Sequence, residues 1–261
     1  MTTRTACCLA LMLFGVIAGC ALVSGTGGGK NRDVDRDGLL GPVRQVVTKS
    51  RTSTTVASYD RGGMLQELLI RTQPPPEQPE VGERIQKFIY VYGSDGKRMR
   101  EMTEEDDGQQ YLSRLYAYDA SGKKAAEAVY HLCGTFSALL MYSYDADGLL
   151  REALSFQYRS IMRQVYDYDR RGRVQSRALY KNNALQSTTR FEYVERAYPI
   201  SEETTNVVNP LLNDKSVSMY EYDRHGNWTK RTTRRLIMPI DEDGKPMFEA
   251  TEITERTITY F

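Results

Sequence analysis

The sequence contains little cysteine and tryptophan, and it carries almost no net charge. Of its four cysteines only Cys133 lies beyond residue 20, so the body of the chain cannot form an intramolecular disulfide. We expect Cys133 to be a small buried hydrophobic residue rather than a nucleophile or a metal ligand. The formal net charge of +1 excludes a strongly basic protein, and no nucleic-acid partner is expected.

Histidine is also scarce, and the two histidines, His131 and His225, lack a second ligand at metal spacing. We expect His225 to be a solvated turn residue. No Ser, Thr or Cys lies in a recognisable nucleophile motif. Acidic pairs such as Glu104 and Glu105 indicate solvated turn tips. The sequence therefore predicts no catalytic residue, no metal and no cofactor, although the two carboxylates of a glycosidase need no local motif.

One acidic segment resembles the first half of a calcium-binding loop. Asp33, Asp35 and Asp37 alternate before Gly38, but Arg44 occupies the position where a glutamate should close the site. We interpret these carboxylates as part of an acidic tether, with calcium binding as the alternative.

The amino terminus has the three-part pattern of a secretory signal peptide. One positive charge precedes an apolar run, and Ile17, Ala18, Gly19 and Cys20 end it. These four residues resemble the lipobox of bacterial lipoproteins. The resemblance implies cleavage between Gly19 and Cys20, a diacylglycerol thioether on Cys20 and acylation of the new amino terminus. An uncleaved transmembrane helix is the alternative.

The predicted organisation follows from that leader. Residues 1–19 form the disordered or helical signal peptide, residues 20–38 a glycine-rich flexible tether, and residues 39–261 a β domain. The lipid anchor predicts a place in the cell envelope. Ala21, by the sorting rule of that family, favours the outer membrane of a host with two membranes, at its periplasmic or surface face.

The β domain is rich in tyrosine, with 18 residues, and these occur in a repeated pattern, Tyr-x-Tyr-Asp-x-x-Gly. One copy contains Tyr116, Tyr118, Asp119 and Gly122. The glycines of neighbouring copies, Gly96, Gly122 and Gly148, follow one another at intervals of 26 residues. About seven such units fit between residue 55 and residue 230.

Each unit has the pattern of a strand followed by a tight turn. Two tyrosines at i and i+2 share one strand face, the aspartate accepts hydrogen bonds from the amides ahead of it, and the glycine adopts a left-handed conformation. Such a type I turn with a glycine bulge closes a β-hairpin. The predicted turn residues are Asp60, Gly63, Gly96, Asp119, Gly122, Asp145, Gly148, Asp169, Gly172, Asp223 and Gly226.

Hairpins in series predict an all-β fold, an antiparallel meander that curves into a sheet or a partly closed barrel. Serial Tyr-Asp-x-x-Gly hairpins resemble the YD repeats of RHS proteins. The chain is also similar to small uncharacterised enterobacterial lipoproteins, at residues 40–44 and 220–261. The first resemblance implies a scaffold of hairpins, and the second carries no established activity.

The sequence therefore predicts a non-enzymatic envelope module, either structural or binding a protein partner or a surface glycan. The alternative is an envelope glycan hydrolase with acidic side chains on the concave sheet face. A basic run, residues 230–235, is interpreted as a charged strand that guards a sheet edge, with phosphate or anionic-glycan binding as the alternative.

Overall fold

The computed structural model describes residues 32–74, 77–78, 82–105, 107–194, 198–240 and 246–261, without the side chains of residues 237–250. The predictions for the signal peptide, Gly19, Cys20 and tether residues 20–31 lie outside the described residues.

Sixteen β-strands make up most of the described chain. They are β1 Val43–Lys49, β2 Ser53–Tyr59, β3 Leu65–Thr72, β4 Arg84–Tyr92, β5 Arg98–Glu104, β6 Gln110–Tyr118, β7 Lys124–Tyr130, β8 Phe136–Tyr144, β9 Leu150–Gln157, β10 Ser160–Tyr168, β11 Val174–Lys181, β12 Ala184–Glu192, β13 Ser201–Asn206, β14 Asp214–Tyr222, β15 Trp228–Ile240 and β16 Pro246–Tyr260. A four-residue helix, α1 (Asp33–Arg36), precedes β1, and a 3-10 turn, Pro210–Leu212, precedes β14.

The strands form one antiparallel meander that closes on itself. Each strand pairs with the next along the chain, and β1 pairs with β16. The predicted all-β meander is confirmed, and the barrel is closed rather than partly closed. Because β15 has β14 on one side and β16 on the other, the basic run at residues 230–235 guards no sheet edge. That interpretation was wrong, since closure leaves no edge there to protect.

The repeat turns have bulged hairpin geometry. In one of them, Gly122 has a φ of +84° and its N–H donates to the carbonyl of Asp119 at 3.0 Å. The Asp119 carboxylate accepts from the backbone N–H groups of Ser121 and Lys123 at 2.8 and 2.9 Å. The other predicted turn glycines also have positive φ angles, which a Cβ would strain: Gly63, Gly96, Gly148, Gly172 and Gly226.

A bulge follows each of these turns. Tyr142 lies opposite Ala153, yet Tyr144 lies opposite Leu150, so β9 has one residue more than β8 over this stretch. The extra residue places both the second and the fifth residue after the glycine on the face of the tyrosine pair. The residues at the second position are Leu65, Arg98, Lys124, Leu150, Val174 and Trp228.

The core of the protein is the barrel interior. The most buried strand side chains, among them Tyr59, Tyr90 and Trp228, lie on the face of the tyrosine pairs. Val34 and Leu39, which precede the first strand, belong to one hydrophobic cluster with Tyr59 and Tyr90. The repeat turns gather at one end of the barrel, which we call the turn end. The other connections, including residues 131–135, 158–159, 182–183 and 207–213, form the opposite rim.

Candidate functional site

A short segment before β1, residues 32–41, lies across the turn end, and we call it the strap. Its Asp33 side chain is fully buried. The Asp33 carboxylate accepts hydrogen bonds from the backbone N–H of Leu65 at 2.9 Å, from the guanidinium of Arg98 at 3.0 Å and from the hydroxyl of Tyr92. Arg36 also pairs with it. One end of the strap is thereby fixed to β3, β4 and β5.

The other end of the strap binds the opposite wall. The Tyr198 hydroxyl, in the connection between β12 and β13, donates to the carbonyl of Gly38 at 2.8 Å. Buried Asn227, immediately before β15, accepts from the Leu40 N–H at 2.7 Å and donates to the Leu40 carbonyl at 2.8 Å. The strap therefore joins two walls that are far apart in sequence.

These contacts change the interpretation of the acidic segment. Residues 32–38, expected to belong to the flexible tether, are packed on the barrel. Asp33 binds Arg98, Asp35 pairs with Arg32 at 2.7 Å, and Asp37 accepts from the Tyr59 hydroxyl at 2.6 Å. The three carboxylates thus point to separate partners, and no group of three metal-ligating side chains occurs in the described part of the chain.

Two predictions about single side chains were wrong. Cys133 is exposed at the tip of a turn, where its thiol lies 3.0 Å from the Thr135 hydroxyl, a contact that lowers the pKa of the thiol. His225 is half-buried, because its ring packs against that of Tyr260 at an interplanar angle of 34°, with 4.3 Å between centroids.

A ladder of tyrosine hydroxyls links each unit to the one before it. The second tyrosine of a unit donates to the backbone carbonyl at the bulge of the preceding unit, as Tyr118 does to Arg98 and Tyr144 to Lys124, both at 2.8 Å. Tyr168 and Tyr193 make the equivalent bonds to Leu150 and Val174. The Tyr92 oxygen lies 2.5 Å from the equivalent carbonyl of Leu65, but its one O–H is shared with the Asp33 carboxylate. These bonds satisfy backbone carbonyls at the start of a strand and tie each unit to the one before it.

The inner face of β5, β6 and β7 carries a chain of ion pairs, which we call the paired wall. Arg114 lies 3.3 Å from the Glu101 carboxylate and 3.0 Å from that of Glu127, and Lys124 pairs with Glu127 as well. Burial acts to raise the pKa of Glu127, but Lys124 and Arg114 hold that pKa below its ordinary value. This wall is electrically balanced, which favours a structural role.

An aromatic pocket of about 470 Å³ lies where β14 faces the connection between β12 and β13. Tyr198, Tyr220 and Tyr222 line it together with Ser218 and apolar side chains, and the described lining contains no carboxyl group. The rings of Tyr198 and Tyr220 stack with 5.6 Å between centroids. A volume of this size suits a small organic ligand.

The rim opposite the strap exposes large apolar side chains. Tyr158 is 82 % exposed, Leu211 78 % and Val208 68 %. The apolar rim, as we call it, consists of Leu132, Phe136, Tyr158, Val207, Val208, Leu211 and Leu212. Backbone hydrogen bonds join two of the connections to neighbouring strands, since the Asn182 N–H donates to Ile161 in β10 and the Val207 N–H to Gln186 in β12. Large apolar side chains exposed on several connections at one end of the barrel are candidates for contact with another protein.

Comparison with known proteins supports the fold alone. No family model and no curated protein matches the chain. A porin-like protein from Bacteroides uniformis is similar in structure, with 10 % identity, a TM-score of 0.58 and coverage of 84 % of this chain and 99 % of that one. The YD-repeat resemblance stays a prediction. No helix among the described residues is long and apolar enough to cross a membrane.

Two further structures match with lower scores. A porin-like protein from Bacteroides vulgatus has 11 % identity and a TM-score of 0.34, with 84 % of this chain and 98 % of that one covered. The Tc holotoxin pore of Photorhabdus luminescens has 13 % identity and a TM-score of 0.28. The match covers 76 % of this chain and 12 % of the toxin chain. Scores this low support no argument about the fold.

Proposed function

We propose that the protein is a lipid-anchored, non-enzymatic module of the cell envelope that binds a protein partner through its apolar rim. This proposal rests on the difference between the two ends of the barrel. The strap covers the turn end, whereas the opposite end presents large apolar side chains to solvent.

The proposal includes an orientation of the barrel relative to the predicted anchor. Cys20 precedes the first strap residue, Arg32, by 12 positions in the sequence. Lipid on Cys20 would therefore hold the turn end towards the membrane, and the apolar rim would point away from it. A location at the outer membrane, which Ala21 favours, is part of the same proposal.

The chemistry of the rim describes the partner. Exposed Tyr158 and Leu211 need an apolar surface that excludes water. Exposed cations border them, with the Arg159 guanidinium 4.8 Å from the centroid of the Tyr158 ring and Lys181 at the end of β11. We expect a partner whose binding surface has an apolar centre and acidic residues at its border.

The test compares envelope complexes of the full chain and its variants. Leu211→Asp should remove the partner that crosslinks to the wild type, because a carboxylate would be buried in the interface. Ile253→Asp is the matched control, since Ile253 is 47 % exposed on the wall strand β16. Retention of the partner by the rim variant, or its equal loss from the control, contradicts the proposal.

The anchor has its own test. Cys20→Ala should leave an unprocessed or misplaced protein, because the thiol that takes the lipid is absent. A variant that still matures normally and fractionates with membranes would show that the anchor assignment is wrong.

A further inference from the structure

The outer surface of the barrel is apolar along one wall. Side chains on the face opposite the tyrosine pairs point outward, and strand pairing arranges them in rows across neighbouring strands. One row, from β6 to β10, consists of Leu115, Ala128, Leu139, Phe156 and Ile161. The next row, from β6 to β9, consists of Ala117, Ala126, Met141 and Leu154. We call the side chains of these two rows the apolar wall.

The apolar wall is exposed to solvent. Leu115 is 40 % exposed, Met141 45 % and Ile161 43 %. On their inner face the same strands carry charged side chains of the paired wall, including Arg114 and Glu127. Because closure of the barrel buries the inner face, the core does not require apolar side chains on the outer one. A contiguous apolar surface outside the core is a candidate for contact with another molecule.

The opposite wall of the barrel has a different outer surface. One outward row on β14, β15, β16 and β1 consists of Glu221, Lys230, Glu255 and Lys49. Charges alternate along this row, and the Lys230 ammonium lies 3.1 Å from the Glu221 carboxylate. Cross-strand pairs of opposite charge suit a wall that stays in water. The two apolar rows are therefore a feature of one side of the barrel.

The apolar wall has small side chains beside large ones. Ala126 and Ala128 lie on β7, whereas the neighbouring β8 carries Leu139 and Met141. The wall therefore has a shallow trough along β7 and a ridge along β8. A two-fold axis between these strands places the ridge of one copy in the trough of another, as an isologous contact requires.

We propose that the apolar wall binds a second copy of this chain in a parallel, two-fold dimer. Neither row contains a charged side chain between β6 and β9, so identical walls meet without repulsion of like charges. The two rows cover about 350 Å² on each copy, since strands lie about 4.8 Å apart and outward residues about 7 Å apart. Stable complexes bury roughly 800 Å² per partner. The dimer is therefore weak in solution and forms where copies are concentrated.

The membrane anchor provides that concentration, and this step rests on the proposed lipidation of Cys20. Anchored copies have their turn ends towards the same membrane, so their apolar walls lie at the same height and face sideways. A two-fold axis along the membrane normal keeps both turn ends at the membrane and leaves both apolar rims free.

Photo-crosslinking in membranes tests the contact. The full chain is made with p-benzoylphenylalanine in place of Met141, in cells that also make a copy with a different tag. Irradiation should give a product that contains both tags. The same substitution at Ile253 is the matched control, because Ile253 is 47 % exposed and lies opposite Thr232 on the far wall. It should give no such product.

Two substitutions at Ala128 separate a second copy from other occupants. Ala128→Glu would bury a carboxylate in the contact and should abolish the two-tag product. Ala128→Leu fills the trough and should reduce the product roughly tenfold, because overpacking costs about 1–3 kcal/mol. Contact with lipid has no need of the trough and would survive Ala128→Leu. Circular dichroism of both variants establishes that the barrel is folded.

Four outcomes overturn the proposal. They are the absence of a two-tag product at position 141, an equal yield at position 253, an unchanged yield in folded Ala128→Leu, and crosslinks at position 141 to lipid or another protein alone.

Failure of the proposed function is seen separately. Leu211→Asp should lose the partner of the apolar rim and keep the two-tag product. Cys20→Ala should lower the product, because the copies are no longer concentrated at a membrane. A product that persists in Cys20→Ala overturns the role of the anchor and leaves the wall contact standing.

Discussion

The two ends of the barrel use their residues in opposite ways. At the turn end, the polar side chains of Asp33, Tyr198 and Asn227 are committed to contacts with the strap or the walls. At the rim, Tyr158 and Leu211 are almost fully exposed. The turn end is therefore optimised for stability, and the rim keeps surface free for a partner. Substitutions should separate these roles, because a change at one end should leave the property of the other intact.

The largest effect is expected at Asp33. Asp33→Ala should lower the free energy of unfolding by about 3–5 kcal/mol, since it leaves the buried Arg98 charge without its partner. Asp35→Ala is the control, because the Asp35 side chain is 48 % exposed and forms a surface pair with Arg32. Urea unfolding of both variants checks the difference. Equal losses would mean that the strap is a surface feature.

Low pH should destabilise the paired wall. The pKa of Glu127 is lower in the folded state than in the unfolded chain, because Lys124 and Arg114 stabilise its charge. The unfolded state therefore binds the proton more readily, and stability should be lost as the pH falls below about 4.3 towards the folded pKa. Glu127→Gln should be less stable than the wild type near neutral pH. Its urea midpoint should also fall less than that of the wild type as the pH is lowered.

A smaller effect is expected from one bond of the hydroxyl ladder. Tyr144→Phe removes the donor to the Lys124 carbonyl and should lower the free energy of unfolding by about 1 kcal/mol. Tyr158→Phe, on the exposed rim, should change it by less than about 0.5 kcal/mol. A ladder variant as stable as the rim variant would show that water replaces the bond at no cost.

The smallest effect on stability is expected at the apolar rim. Leu211→Asp should unfold within about 0.5 kcal/mol of the wild type, because the Leu211 side chain is 78 % exposed. Its urea midpoint, measured beside its capture of the partner, tests the comparison directly. A clear loss of stability would show that the rim is part of the core rather than a free surface.

Much of the fold was predictable because its information is local. The aspartate and glycine of each unit specify a turn, and the paired tyrosines specify a strand face, so the meander follows from the repeat. Closure between β1 and β16 was not predictable, since the join depends on the summed curvature of all the strands. The basic run at residues 230–235 was misread for that reason.

The site was less predictable because its partners are distant in sequence. Arg98 and Lys124 break the apolar pattern after the turn glycine, and this break was the available signal of an ionic interior. Their partners could not be read locally, since Asp33 lies 65 residues before Arg98. In composition, residues 32–38 of the strap resemble the glycine-rich and charged segment that precedes them, so the sequence analysis assigned both to one tether. Only the assembled barrel shows why Asn227 follows the last repeat turn.

The strap also determines how the molecule would respond to tension. A pull on residue 32 acts first on the Asp33 carboxylate and on the Val34 N–H, which donates to the Gly63 carbonyl at 3.1 Å. Only after these bonds break does load pass through Leu40 to the start of β1. The strap would therefore detach from the turn end before any strand of the wall separates.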